Sequence, residues 1–210
     1  EIIKLQDDKV DGIIIDLDNN GGGSITEAIK MVGMFIDIGP VALVHDKYNN
    51  IETLKDFNRG VVYSGPIVVI VNGFSASASE LVINGLVPYI NVIQIGDVTA
   101  GKNVGSITIY DSPTLKKQNV NPNHKYAMQP IVLKIANKDN FSDYTNGLTP
   151  DEPQLEHIGT LRVLGVNSDP LLNATLNYIN INGWFQQRAP VLLFNHFDDS
   201  KSMRLFGTEM

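Results

Sequence analysis

A serine, a lysine and two glycine-rich turns are the parts of this chain best suited to chemistry. Asn72-Gly73-Phe74-Ser75-Ala76-Ser77-Ala78-Ser79-Glu80 passes from a β-branched strand through small side chains into a helix. A hydroxyl on the first turn of a helix sits among unpaired N–H groups at the positive end of the helix dipole, which favours a developing alkoxide or oxyanion. Ser77 is therefore a candidate nucleophile. Ser77 and Glu80 equally fit the S-x-x-E capping box that merely starts a helix. Ser24 and Glu27 form the same pattern, and there a cap is the whole reading.

A nucleophilic serine needs a base. The next candidate downstream is Lys102, in the glycine-bracketed loop Thr99-Ala100-Gly101-Lys102-Asn103-Val104-Gly105. An ordinary lysine, with a pKa near ~10.4, is charged at neutral pH, so a lysine base has to be buried. Ile93, Ile95 and Val104 are the apolar neighbours that could bury it. The plain alternative is a surface lysine in a turn. The third element, Asp16-Leu17-Asp18-Asn19-Asn20-Gly21-Gly22-Gly23, runs from a strand into consecutive glycines. Their amides either point at one anionic oxygen or make only a tight turn. The P-loop pattern is absent, which argues against a nucleotide site. His45, His124, His157 and His196 fall in polar or loop contexts without metal-ligand spacing, so each is expected to be solvated, and no metal or cofactor is expected.

The elements that must position these residues alternate in type. Ile13 to Leu17, Val41 to Val44, Ile67 to Val71 and Val92 to Gly96 read as strands. Ser24 to Ile36 and Ser77 to Leu86 read as helices, with His45 to Gly60 a polar excursion. The alternation predicts βαβ units and a mostly parallel sheet. Past Gly105 the period changes, so that Ser106 to Tyr110 and Ile131 to Ala136 are expected to pair around a long polar loop. Asp169-Pro170 opens a last helix through Leu171, Leu172, Leu176 and Ile179.

Composition narrows the function classes. The 210 residues carry a net charge of -7 with 43% hydrophobic and 19% charged residues, the balance of a water-soluble globular domain. That charge repels polyphosphate, so nucleic acid is not expected as a partner. No apolar run reaches the ~18 residues of a membrane span, and without cysteine there are no disulfides or thiolate sites. The chain begins at Glu1 without a basic and apolar leader, so a processed or excised chain is expected, with any targeting signal upstream.

Taken together, the segments resemble the carboxy-terminal processing, or tail-specific, proteases. The family's Asp-Leu-Arg-Asn-Asn-x-Gly-Gly is similar to Asp16–Gly23, and its Ser-Ala-Ser-Ala-Ser-Glu matches Ser75–Glu80. Its Gly-Glu-x-Thr-x-Gly-Lys resembles Gly96–Lys102, and its Gly-x-Thr-Pro-Asp matches Gly147–Asp151. The resemblance covers roughly residues 10 to 180. It implies an α/β fold, a ClpP/crotonase-like core of βαβ units with additional antiparallel strands. It also implies Ser77 as nucleophile, Lys102 as general base, and an oxyanion hole on the amides of Ala78 and of Gly22 or Gly23.

The sequence departs from the family at several points. Ser106 stands where many relatives place a glutamine that orients the lysine, Asp18 replaces the usual arginine, and Pro88 stands where some members have an acid. No PDZ module is recognisable. The resemblance implies a serine endopeptidase that cuts unstructured or C-terminal polypeptide segments through an acyl-enzyme. Its rivals are an inactive peptidase-like module holding a peptide or apolar ligand, and a crotonase-type acyl-CoA enzyme. Residues 1–182 are expected to form the catalytic core. Residues 183–210 are expected to extend from it and dock on the core or on a neighbouring subunit, which leaves a homo-oligomer open. The resemblance further implies a bacterial cell envelope location, periplasmic or anchored through a region N-terminal to this chain.

Overall fold

The computed structural model describes residues 2–56, 63, 65–155 and 169–181. In chain order its first elements are α1 (Ile2–Asp7), β1 (Ile13–Asp16), α2 (Ile25–Val32), β2 (Ala42–Asp46), β3 (Ile51–Leu54), β4 (Ile67–Val71) and α3 (Ala78–Leu86). After them come β5 (Val92–Gly96), β6 (Val104–Ser106), β7 (Ile109–Tyr110), β8 (Ala127–Met128), β9 (Ile131–Ala136), β10 (Glu152–Pro153) and α4 (Pro170–Ile181).

The β-branched runs form the centre. β4 and β5 are buried at every position, as strands covered on both faces must be. They sit in a parallel sheet of order β1-β4-β5-β10, with Ile13 opposite Ile67 and Ile67 opposite Val92. A second, antiparallel sheet has the order β3-β2-β9-β6. In it Val44 pairs with Ile135, both buried, while the next pair, His45 and Lys134, points to the other side. Helices α2 and α3 pack on each other. Val32, Phe35, Leu81, Ile83 and Leu86 join the strand residues in one core.

Several expectations are corrected. The strand near Val41 belongs to the antiparallel sheet, which has four strands like the parallel one, and β7 and β8 add a further antiparallel pair. Its partner β3 arises inside the expected polar excursion, because Asp46 to Asn50 make a turn: Asp46 Oδ1 accepts from Tyr48 N at 2.8 Å and from Asn50 N at 2.9 Å. Helix α2 ends at Val32 rather than Ile36, although Phe35 and Ile36 remain buried. The strand expected over Ser106 to Tyr110 divides. Val104–Ser106 pairs with β9 through a bulge between Gly105 and Ser106, and Ile109–Tyr110 pairs with β8.

The chain divides into two compact units, residues 1–155 and 156–210. In the second unit α4 starts as expected, with Asp169 Oδ1 accepting from Leu171 N at 3.0 Å and from Leu172 N at 3.2 Å. The expected boundary at 182/183 and the extension 183–210 lie outside the described residues. No helix among the described residues is long and apolar enough to cross a membrane.

Candidate active site

Ser77 is the N-cap of α3, a helix whose nine residues are all buried. Its backbone has φ 58° and ψ -112°, a left-handed setting that a residue with a side chain enters at a cost of about 1–3 kcal/mol. Such strain persists only where the surroundings impose it. The imposing group on one side is the glycine turn after β1. Gly22, itself at φ +84°, lies so close that an added Cβ would collide with Ala76 O and stand 2.6 Å from Ala78 N. Two further bonds hold the turns together: Ala76 N donates to Asn20 O at 3.1 Å, and Ser75 Oγ donates to Leu17 O at 2.7 Å.

On the other side is Glu80, whose carboxylate is fully buried. It accepts four hydrogen bonds. Oε2 takes Ser77 N at 2.8 Å and Lys102 N at 2.8 Å, and Oε1 takes Gly101 N at 2.7 Å and the Thr99 hydroxyl at 2.6 Å. A buried carboxylate is tolerated only when its lone pairs are met in this way. The amides of Ser77 and Lys102 thus hang from one oxygen atom, which fixes the two loops against each other. Thr99 Oγ1 also accepts from Leu148 N at 2.7 Å, so the Gly147–Asp151 segment joins the same network. All four family-like segments meet here. Gly101 sits at φ +82°, where a Cβ would stand 2.7 Å from Gly147 N.

Sequence reasoning treated Glu80 as a helix cap and missed its larger role. The local pattern could not reveal it, because the donors from Thr99, Gly101 and Lys102 arrive from about twenty residues downstream. The neighbouring Tyr144 is buried, and its phenol is held well above the ordinary tyrosine value by burial first and by the charge of Glu80 second.

The amides implied as an oxyanion hole differ in availability. Gly22 N is taken by Asn20 Oδ1 at 3.0 Å. Ala78 N and Gly23 N meet no acceptor among the described residues. Ser77 is half-buried and Lys102 is exposed, and no hydrogen bond joins Ser77 Oγ to Lys102 Nζ. The expected burial of Lys102 is not found: Ile93 and Ile95 lie sealed within β5, and the turn at Gly101 carries the lysine side chain outward. Ser106 is also exposed and makes no hydrogen bond to Lys102. His45 lies half-buried on β2 rather than in a loop. His124 does lie in a loop, 3.0 Å from Asp111 Oδ2, while His157 and His196 lie outside the described residues.

Comparison with known proteins decides the family. The model of peptidase family S41 matches residues 1–151. The chain belongs to peptidase family S41. A tail-specific protease of Haemophilus influenzae is 41% identical over 101 residues, 48% of this chain and 14% of that protein. Among solved structures, a Bacteroides fragilis chain assigned to the S41 proteases superposes with a TM-score of 0.70 at 25% identity, covering 86% of this chain and 48% of that one. The photosystem II D1 C-terminal processing protease superposes with a TM-score of 0.59 at 24% identity, over 81% of this chain and 43% of that one. The family implied by the four motifs is thus the family found, and the mixed α/β fold is that of its members. The chain spans only a small part of the curated relative and less than half of each solved chain.

Proposed function

We propose that this S41 chain is the catalytic core of a serine endopeptidase working through Ser77 and Lys102. The observation that carries the reading is the left-handed Ser77 at the mouth of a buried helix, its amide sharing one Glu80 oxygen with the amide of Lys102. Neutral Lys102 takes the hydroxyl proton of Ser77, and the alkoxide attacks a peptide carbonyl. The amides of Ala78 and Gly23 hold the tetrahedral oxyanion, and the amine leaves with a proton returned by Lys102. Water then cleaves the acyl-enzyme by the same route in reverse. Lys102 is exposed, so in this reading the substrate itself covers the amine and excludes water from it. The substrate is an unstructured or C-terminal polypeptide segment, and the place of work is the bacterial cell envelope.

The reading is tested by Ser77→Ala and Lys102→Ala, each expected to lower turnover of an unstructured polypeptide about 1,000-fold or more while leaving the fold intact. Undiminished turnover in either variant refutes the assignment. A second reading, a module that holds a peptide without cutting it, is favoured by one observation: Ser77 and Lys102 are not hydrogen-bonded and the lysine is exposed. Binding without any cleavage by the unaltered chain would select it.

A further inference from the structure

On the side of the antiparallel sheet turned away from the core, a cavity of about 520 Å³ opens between the β2–β3 turn and strands β9 and β6. His45, Lys134 and Val104 stand in one row across β2, β9 and β6. Lys47, Tyr48 and Val132 complete the walls that matter here. The chain is acidic, at -7, yet neither Lys47 nor Lys134 forms a salt bridge among the described residues, although Lys47 lies near enough to Asp46 for its charge to favour that carboxylate. The one carboxylate in the lining, Asp46, is engaged within its own turn by Tyr48 N, Asn50 N and Asn50 Nδ2. Lys47 Nζ lies 4.8 Å from the centre of the Tyr48 ring, and His45 Nε2 is buried without a hydrogen-bond partner.

Two ammonium groups free of salt bridges, over valine and tyrosine walls, suit a carboxylate borne on an apolar residue. They suit phosphate less well, since the apolar walls leave its remaining oxygens without hydrogen-bond donors. The cavity also adjoins the proposed catalytic loop, because Val104 lies two residues beyond Lys102. From Val104 the strand β6 has β9 on one side and no strand on the other among the described residues. Asn103 O accepts from Ile135 N at 2.9 Å. By antiparallel alternation the main-chain groups of Val104 and Ser106 then turn to the open edge, where an extended chain can pair.

We propose that this cavity receives the free C-terminal carboxylate and last apolar side chain of a polypeptide, whose preceding residues pair with the edge of β6. The choice of ligand rests on the peptidase reading above. A C-terminus seated there leads its chain past Lys102 and covers the exposed amine.

The test uses the full chain carrying Ser77→Ala and a labelled unstructured peptide ending in an apolar residue, as the free acid and as the carboxamide, with binding followed by fluorescence anisotropy. The acid is expected to bind about tenfold more tightly than the amide, the size of one or two partly exposed ion pairs. The double variant Lys47→Gln with Lys134→Gln is expected to bring the acid to the level of the amide and to leave the amide unchanged. Equal binding of acid and amide, no binding of either, or a preference for the acid that survives in the double variant overturns the proposal. So does inorganic phosphate that displaces the acid as readily as an N-acetylated apolar amino acid does. Cleavage by the unaltered chain is read separately: a preference for the acid without cleavage keeps the cavity and removes the peptidase reading.

Discussion

Ser24-Ile25-Thr26-Glu27 and Ser77-Ala78-Ser79-Glu80 carry one local signal, and the folded chain puts it to two uses. At the first, Ser24 adopts an extended backbone with φ -76°, its hydroxyl accepts from Glu27 N at 3.3 Å, and Glu27 reaches out to Lys30 at 2.8 Å on the surface. At the second, Ser77 is left-handed and Glu80 is sealed in the core with four donors. The spacing of serine and glutamate starts a helix in both. What separates them is what arrives from elsewhere in the chain: the Gly22 turn on one side and the Thr99–Lys102 loop on the other. Strain at a serine and burial of its glutamate are the marks of the second use.

That contrast can be broken by removing each glutamate in turn. Glu80→Ala removes a fully buried carboxylate and leaves four donors, one buried and three part-buried, without their acceptor, and is expected to lower the unfolding free energy by about 3–5 kcal/mol in urea titration. Glu27→Ala is expected to leave the midpoint where it was, and equal shifts would erase the distinction. The next largest effect is expected at the glycine that presses on only one of the two serines. Gly22→Ala, strained at φ +84° and colliding with the Ser77 turn, should cost about 1–3 kcal/mol and at least tenfold in peptide turnover. Gly23→Ala enters open space and should cost little stability. Circular dichroism melts and turnover of the two alanine variants settle the pair.

Ser24→Ala is expected to cost about 1 kcal/mol, the usual value of a cap, with turnover unchanged. A loss of activity there would show that the two motifs are not divided as described. The smallest effect is invisible at neutral pH. Tyr144, beside Glu80, has its ionisation raised in the folded state, so its contribution to stability is complete below the ordinary tyrosine value of 10.0. That contribution is lost as the pH rises beyond it, because the unfolded chain releases its proton first. The thermal midpoint should therefore fall more steeply above pH 10 in the parent than in Tyr144→Phe, with Tyr63, raised to about 12, left titrating in both.

Much of this is legible in one dimension because burial on both faces writes itself as a short run rich in β-branched residues, broken in the second strand only by Gln94 and closed by Gly96. Ile67–Val71 and Val92–Gly96 are read to the residue for that reason, and α3 to within its cap. The order of four motifs carried the family. Glu80 was not legible as a clamp, since a capping box looks the same whether its glutamate faces water or three distant donors. The exposure of Lys102 is not legible in sequence, because Ile93 and Ile95 lie sealed in β5 while Val104 lines the outer cavity and the turn at Gly101 carries the lysine out. The strand after Gly105 was placed too late because the bulge there shifts the register by a residue. The glycine run alone makes Gly22 an anion donor, but its amide is claimed by Asn20, two residues before it.

Because Ser77 N and Lys102 N share the oxygen Oε2 of Glu80, a fluctuation that frees one amide loosens the anchor of the other. Their deuterium uptake should then proceed in step, as one opening event. During synthesis the Glu80 clamp cannot close until Lys102, 25 positions beyond Ser77, has emerged and docked. On the proposed peptidase reading, a half-finished chain then carries no armed nucleophile to turn on its neighbours.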